Sequence, residues 1–307
     1  MSANCPISVC VCTYCRPEGL RKCLESILEQ ENAGPFEVVV VDDDLRGSAA
    51  AGVAAMRTAF SERQVPLIYV ADPRRNIALA RNAAVGAARG ELIAFIDDDE
   101  QAEPRWLGRL REALETYGAD VVVGAVVPSF PDDIPAWLRG SGAFYRKCAP
   151  TGTRLRASDC RTGNVLARRA VFNRFPFEAR LGRIGNSDSL VFRQAERAGW
   201  MLCACAEARV FETQESDRRR WRWHMRREYR CGWGDSYIRR KETSLARTLG
   251  GAVLSVLPGW AMAMARAIAR LSDLRVAGLV LLRGLAFYAG RIGFFVFPAV
   301  EEYKERR

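Results

Sequence analysis

The chain is almost without histidine: His224 stands alone among 307 residues. Its ten cysteines include no two C-x-x-C motifs that could pair in the zinc manner, and with one histidine a zinc site of the Cys/His kind has no donor set to build on. No G-x-x-x-x-G-K-[ST] phosphate loop and no G-x-G-x-x-G fingerprint occurs, which removes the motif basis for ATPase and dehydrogenase readings. There is no internal repeat and no low-complexity linker. No basic segment precedes an apolar run at the N-terminus, so the sequence predicts no signal peptide and a cytosolic protein. The cysteines then read as small buried hydrophobes of a reducing compartment. Cys10 and Cys12, and again Cys203 and Cys205, sit two apart and share a strand face.

What is present is a large apolar content and a basic charge. Hydrophobic residues make up 49%, ample for a core of one large α/β domain with an appendage. Charged residues are an ordinary 27%, but the net charge is +10. A basic surface favours polyanions: nucleic acid, anionic lipid or phosphorylated substrates.

The first half alternates strand and helix patterns. Apolar runs at Ile7–Thr13, Phe36–Val41, Leu67–Val70, Leu92–Ile96 and Val121–Val127 read as buried strands. Between them lie helical patterns over Glu18–Gln30, an Ala-rich stretch, Asn76–Arg89 closed by Gly90, and a helix opened by Pro104. Repeated β-α units with continuously apolar strands predict a mostly parallel sheet covered on both faces. From Pro128 to about Arg161 the pattern becomes irregular, and it resumes at Asn164.

Two strands end in acids, at Asp42–Asp44 and Asp97–Glu100. In an open parallel sheet ligands bind beyond the carboxyl ends of the strands, and parallel strands put both clusters on one rim. Gathered carboxylates repel unless a cation neutralises them or some protonate. Hard oxygen donors suit Mg²⁺ or Mn²⁺, which would neutralise a diphosphate leaving group. The competing reading is that these acids cap the helices and turns that follow.

The order of the motifs carries a resemblance. P-I-S-V-C-V-C-T-Y-C-R, with Cys15 where Asn is usual, is followed by V-V-V-V-D-D-D, with Asp44 where Gly is usual. Then come N-I-A-L-A-R-N through F-I-D-D-D-E, T-G-N-V-L-A-R-R and G-N-S-D-S-L-V-F-R-Q-A-E-R-A-G-W. Over roughly residues 5–235 the chain resembles family 2 glycosyltransferases, close to those of succinoglycan-type exopolysaccharide synthesis. The resemblance implies a GT-A (Rossmann-like) fold and inverting transfer from a nucleotide-sugar donor to a saccharide or lipid-linked acceptor. It implies that Thr13 and Asp43 hold the base, that Asp97 and Asp98 approach ribose and metal, and that Asp99 is the main ligand of Mg²⁺ or Mn²⁺, with Asp97 beside it. Arg16 and Arg81 are implied donor contacts. Other readings are a nucleotidyltransferase on a related fold, or a non-catalytic membrane or polyanion binder.

Inversion needs a base for the acceptor hydroxyl. The Ser187-Asp188 pair before a helical pattern makes Asp188 the candidate, with a helix N-cap as its alternative or added role. Glu212 falls where relatives often have an acid or histidine near the metal, or is an ordinary surface acid. Seven arginines between Arg218 and Arg230, interleaved with Trp221, Trp223 and Tyr229, read either as a grip on diphosphate or as a membrane-facing basic surface. No nucleic acid is expected as partner, and His224 reads as structural. Leu249–Ala265 and Val276–Val300 are apolar but marginal for spanning; basic flanks suit segments lying on the inner face of the cell membrane, and a helical hairpin packed on the protein is the alternative. The expected organisation is a transferase domain over residues 1–240, split near 127 into donor and acceptor halves, and an apolar helical tail over 241–307.

Overall fold

The structure is a computed structural model that describes residues 7–214 and 216–301; Cys5 and Pro6 lie outside them. In chain order the elements are β1 (Ile7–Thr13), α1 (Pro17–Leu28), β2 (Phe36–Asp42), α2 (Ala50–Glu62), β3 (Leu67–Ala71), α3 (Ile77–Ala87) and β4 (Leu92–Ile96). There follow β5 (Glu100–Ala102), α4 (Trp106–Thr116), β6 (Val121–Ser129), α5 (Ala136–Arg139), β7 (Asn164–Arg168), α6 (Arg169–Arg174) and α7 (Ser187–Arg197). The chain closes with β8 (Leu202–Thr213), α8 (Trp221–Glu242), α9 (Leu245–Ile268) and α10 (Leu274–Gly293).

The strands form one eight-stranded sheet in the order β3-β2-β1-β4-β7-β6-β8-β5. β1, β2, β3 and β4 pair in parallel, as do β6 and β8. β7 is antiparallel to both neighbours, and β5 is antiparallel to β8. Six strands therefore point the same way, which bears out the mostly parallel sheet.

Alternation along each strand sorts its side chains to two faces. Ile7, Val9 and Val11 join Val38, Val40 and Leu92 and, from α1, α2 and α4, Leu24, Phe60 and Leu107 in one core. Cys10, Val39, Val41, Ile93 and Phe95 join Ala80 and Ala84 of α3, Phe172 of α6 and Phe192 of α7 in the other. Helix α1 shows why such a segment folds: Leu20, Cys23, Leu24 and Ile27 form one buried stripe, and Pro17 sets the first turn. Each such Leu or Ile contributes about 1.5–3 kcal/mol by leaving water.

Several boundaries differ from the sequence pattern. Helix α3 ends at Ala87 and continues into extended backbone at Ala88, so Gly90 does not close it in a left-handed cap. Asn76 caps its start, accepting from the amides of Ala78 and Leu79. The acidic run after β4 does not end the sheet: Glu100 opens the short strand β5, which the sequence reading lacked. Pro258 lies inside α9.

The C-terminal helices close onto this body. Arg283 of α10 grips Glu228 of α8 at 2.6 Å and reaches the Ala143 carbonyl at 3.4 Å. Arg291, also on α10, lies 3.2 Å from Asp235 of α8 and donates to Ser255 of α9. Helices α9 and α10 are both long and apolar enough to cross a membrane. Their outer faces expose Leu254, Leu257, Ile268 and Leu274.

Candidate active site

Because β1, β2 and β4 are parallel, Thr13, Asp42–Asp44 and Asp97–Asp99 meet at one rim. The rim opens into a cleft of about 1050 Å³. Thr13, Arg16, Asp43, Arg81, Asp97, Asp98, Asp99 and Asp188 all line it, so the expected donor, metal and base residues border one cavity.

Their side chains are tied together. The Thr13 hydroxyl donates to Asp98 at 2.8 Å, and Arg16 donates to Asp98 at 2.9 Å and to Asp99 at 3.3 Å. Gly19 lets α1 approach this turn: a Cβ there would stand 2.8 Å from the Asp98 carbonyl oxygen. On β2 the acids divide. Asp42 is spent on structure, accepting from the Ala49 amide at 2.8 Å and the Tyr69 hydroxyl at 3.0 Å. Asp43 accepts from the Asn76 amide through one oxygen, while the other is buried with no partner. Burial raises the Asp43 carboxyl to about 6, against backbone amides that pull it down.

Asp99 is held from a second side. Arg218, just before α8, reaches it at 2.7 Å and reaches Glu212 of β8 at 2.8 Å. Arg146 also donates to Glu212, at 3.1 Å. Burial raises Asp99 to about 7; Arg218 and Arg16 oppose that rise, and Asp98 and Asp97 add to it. Glu212 is 6% exposed, so it is no surface acid. Burial pushes its carboxyl up, but Arg146 and Arg218 outweigh burial and hold it below the ordinary range.

Glu212 faces Glu100 across the β5–β8 ladder. Two ionised acids in that register would repel. Glu100 is fully buried, and burial, reinforced by Asp97, drives its carboxyl well above the usual range. The physical resolution is one neutral and one charged carboxyl. Neutral Glu100 accepts from the Asp97 amide at 3.0 Å and so fixes the start of the acidic turn. Gly163 makes room for it: a Cβ there would lie 2.8 Å from Glu100 and 2.9 Å from Asp97.

Arg81 of α3 spans to the opposite wall. It lies 3.7 Å from Asp97 and donates to the Ser187 hydroxyl at 3.4 Å. Asp188 stands beside Ser187 in the first turn of α7 and accepts from the Ser189 amide at 2.8 Å. It is not the N-cap. Asn186 occupies that position in a left-handed conformation, without a side-chain capping bond, so the capping role expected of Asp188 is overturned.

The remaining wall is α8. Arg218, Trp223, Arg226, Arg227 and Arg230 line the cleft, so much of the arginine-dense stretch faces the cavity. Trp223 is flanked by two guanidinium groups, Arg218 at 5.6 Å and Arg227 at 5.4 Å from its ring centre. His224 is buried between Phe144 and Trp223, and burial lowers its imidazole to about 4, which makes it a neutral packing group. Arg146 and Glu100 had no assigned role in the sequence reading. The one available signal was charge balance, since clustered acids require partners, but no spacing ties residue 146 to residue 212.

Comparison with known proteins bears on the family and the fold. The family model described as glycosyl transferase family 2 matches residues 8–178. Succinoglycan biosynthesis protein ExoM of Rhizobium meliloti is 34% identical over 233 residues, 74% of this chain and 72% of that protein. Among solved structures, the mannosyltransferase PcManGT of Pyrobaculum calidifontis, in complex with GDP-Man and Mn²⁺, superposes with a TM-score of 0.62 at 17% identity, covering 96% of this chain and 88% of the other. TarS 1-349 of S. aureus in complex with UDP-GlcNAc gives a TM-score of 0.52 at 16% identity, covering 92% and 90%. At these identities the two structures share the GT-A fold with this chain.

Proposed function

Because the chain belongs to glycosyl transferase family 2, we propose that it transfers a sugar from a nucleotide-sugar donor, with inversion, to a saccharide or lipid-linked acceptor of polysaccharide synthesis. The observation that carries the reading is the placement of a carboxylate rim and Asp188 in the lining of one cleft. The relatives favour glycosyl transfer over a nucleotidyltransferase.

In this reading Thr13 and Asp43 receive the nucleotide. The unpartnered Asp43 oxygen is an acceptor aimed at a base or ribose donor, since a buried acceptor left unsatisfied costs about 1–3 kcal/mol. Asp97 and Asp98 follow toward the ribose, and Arg16 and Arg81 bring positive charge to the diphosphate.

The residues present fit a divalent cation of the Mg²⁺ or Mn²⁺ type. Among the described residues no three His, Cys, Asp or Glu side chains form a cage. Such ions are commonly held by one or two carboxylates together with substrate phosphates, and Asp99 and Asp97 supply two hard oxygen donors at the rim. When bound, the ion neutralises charge on the leaving diphosphate. Arg218 and Arg16 already perform part of that neutralisation for Asp99 itself.

Asp188 takes the acceptor proton. One of its oxygens is occupied by the Ser189 amide, and the other has no hydrogen bond among the described residues. Arg81, bridging Asp97 and Ser187, holds the donor wall and the base wall in register. We also read residues 1–240 as the transferase domain, with α9 and α10 placing it against the inner face of the membrane.

The test is Asp188→Asn assayed with a panel of nucleotide-sugars and Mn²⁺. The variant should bind the donor as the parent does and lose transfer by roughly 10²–10⁴-fold, the usual contribution of a positioned base. Transfer at the parent rate removes Asp188 from the mechanism.

A further inference from the structure

The cleft contains more positive charge than its acids account for, and the surplus lies on one wall. Arg16, Arg81, Arg146 and Arg218 are each committed to Asp97, Asp98, Asp99 or Glu212. Arg283 is committed to Glu228. Arg226 and Arg227 also line the cavity, yet among the described residues neither has a carboxylate within ion-pair distance. Arg161, also in the cavity lining, donates among the described residues to the carbonyls of Ser158 and Cys160.

Arg227 is the most telling of these. It is partly buried, and its recorded close partner is the Trp223 ring at 5.4 Å. Burial pulls its guanidinium below the ordinary value; Cys231 and Glu228 counter this, and Arg146 and Arg283 add to it. A desolvated guanidinium facing other cations is unfavourable unless an anion completes the site. The Trp223 ring lies within 5.6 Å of both this group and Arg218, so the surplus on α8 adjoins the guanidinium that holds the Asp99 rim without sharing its acids.

The surroundings indicate the kind of anion. The tail itself forms part of the cleft wall through Arg283 and Val300. Leu279 of α10 packs against Ile134, Leu138 and Phe144, in the segment that leads to Arg146. The same tail exposes an apolar outer surface. A cationic subsite bordered by an apolar helix pair suits a phosphate carried at the end of an aliphatic chain, with arginine forks on its oxygens.

We propose that Arg226 and Arg227, with Arg161, form a second phosphate subsite that needs no metal and binds the phosphate or diphosphate of the acceptor. This rests on the transferase reading above and gives the acceptor a chemical class. It assigns the two phosphate-bearing partners to different walls of the cleft: the nucleotide at the carboxylate rim and the acceptor at α8.

The experiment uses the full chain in mild detergent and calorimetric titration. Farnesyl diphosphate in EDTA is one probe, inorganic pyrophosphate in EDTA a second, and UDP or GDP with Mn²⁺ a third. Farnesyl diphosphate should bind without metal, and Arg227→Gln and Arg226→Ala should each weaken it about tenfold, the usual cost of losing a charge-assisted bond. Nucleotide binding with Mn²⁺ should change less than about twofold in either variant. Arg226→Ala alters an exposed side chain, so its result stands even where Arg227→Gln disturbs packing on Trp223. Tighter binding of farnesyl diphosphate than of pyrophosphate identifies a lipid-borne phosphate. Equal binding of the two, still lost in the variants, identifies a water-soluble phosphorylated acceptor. Metal-free binding that is absent, or that both variants leave intact, overturns the subsite. Failure of nucleotide binding with Mn²⁺ in the parent protein instead overturns the transferase reading on which it rests.

Discussion

The two walls of the cleft were built by different rules. The rim at β1, β2 and β4 consists of residues that end parallel strands, so chain order and sheet direction place them together. The α8 wall consists of arginines gathered by a late helix whose position depends on packing against α10. The first wall carries acids close to each other and borrows cations from elsewhere. The second carries cations, and its acids Glu228 and Asp235 turn to α10 rather than to the cleft. One residue joins them: Arg218 spans from the α8 side to Asp99 and Glu212. The comparison teaches that the rim's charge is balanced by distant parts of the chain, while its position is set by local strand pattern.

The largest expected effect comes from cutting that joint. Arg218→Ala leaves Asp99 and Glu212 short of a buried partner and should cost about 3–5 kcal/mol in urea denaturation at pH 8, the usual cost of breaking a buried pair. At pH 6, below the value of about 7 at Asp99, the loss should shrink because that carboxyl takes up a proton instead. An equal loss at both pH values would mean that Arg218 matters through packing alone.

Next comes the rim. Asp99→Ala should weaken nucleotide binding in Mn²⁺ by at least about 100-fold, the upper range for disturbing a metal site, with circular dichroism unchanged. Undiminished binding would separate the rim from metal altogether.

Asp43 gives a smaller effect with a defined sign. Its folded-state value is raised from 3.8 to about 6, so between those values the folded protein holds more protons than the unfolded chain. Stability from this group therefore falls as pH rises from about 4 to about 6 and is level above. The slope should amount to about 2 kcal/mol and vanish in Asp43→Asn, as read from denaturation midpoints across that range.

The smallest effect concerns Cys15, which adopts a left-handed conformation with φ of 54° just beyond β1. Asparagine, the residue usual in resembling sequences, tolerates that region better. Cys15→Asn should stabilise the protein by about 1 kcal/mol in thermal unfolding, and destabilisation would show that the thiol's own bonds outweigh the strain.

Much of the rim was legible before the structure. Buried apolar runs ending in Thr13, Asp43 and Asp97–Asp99 locate both the strands and the ligand-facing edge. What could not be read depends on non-local pairing. Glu100 looks like the last acid of a cluster, yet it begins β5 and lies opposite Glu212, more than a hundred residues later. Asp188 looks like a cap because it precedes an apolar helical pattern, but the helix starts one residue sooner and Asn186 takes the capping position. The arginine run reads equally well as a solvated face, since periodicity does not say which side of α8 meets the cleft.

The antiparallel insertion of β7 also constrains how the sheet is assembled. β1 to β4 can pair from the first hundred residues, but β4 then presents a bare hydrogen-bonding edge until Asn164–Arg168 arrives beside it. Sequence separation of this size slows closure, and an apolar strand edge left open is a template for pairing with another chain. During synthesis at roughly 5–20 residues per second, the 67 residues between the two strands keep that edge exposed for about 3–13 seconds. Ribosome-bound chains stopped shortly before Asn164 are therefore the species most in need of a chaperone.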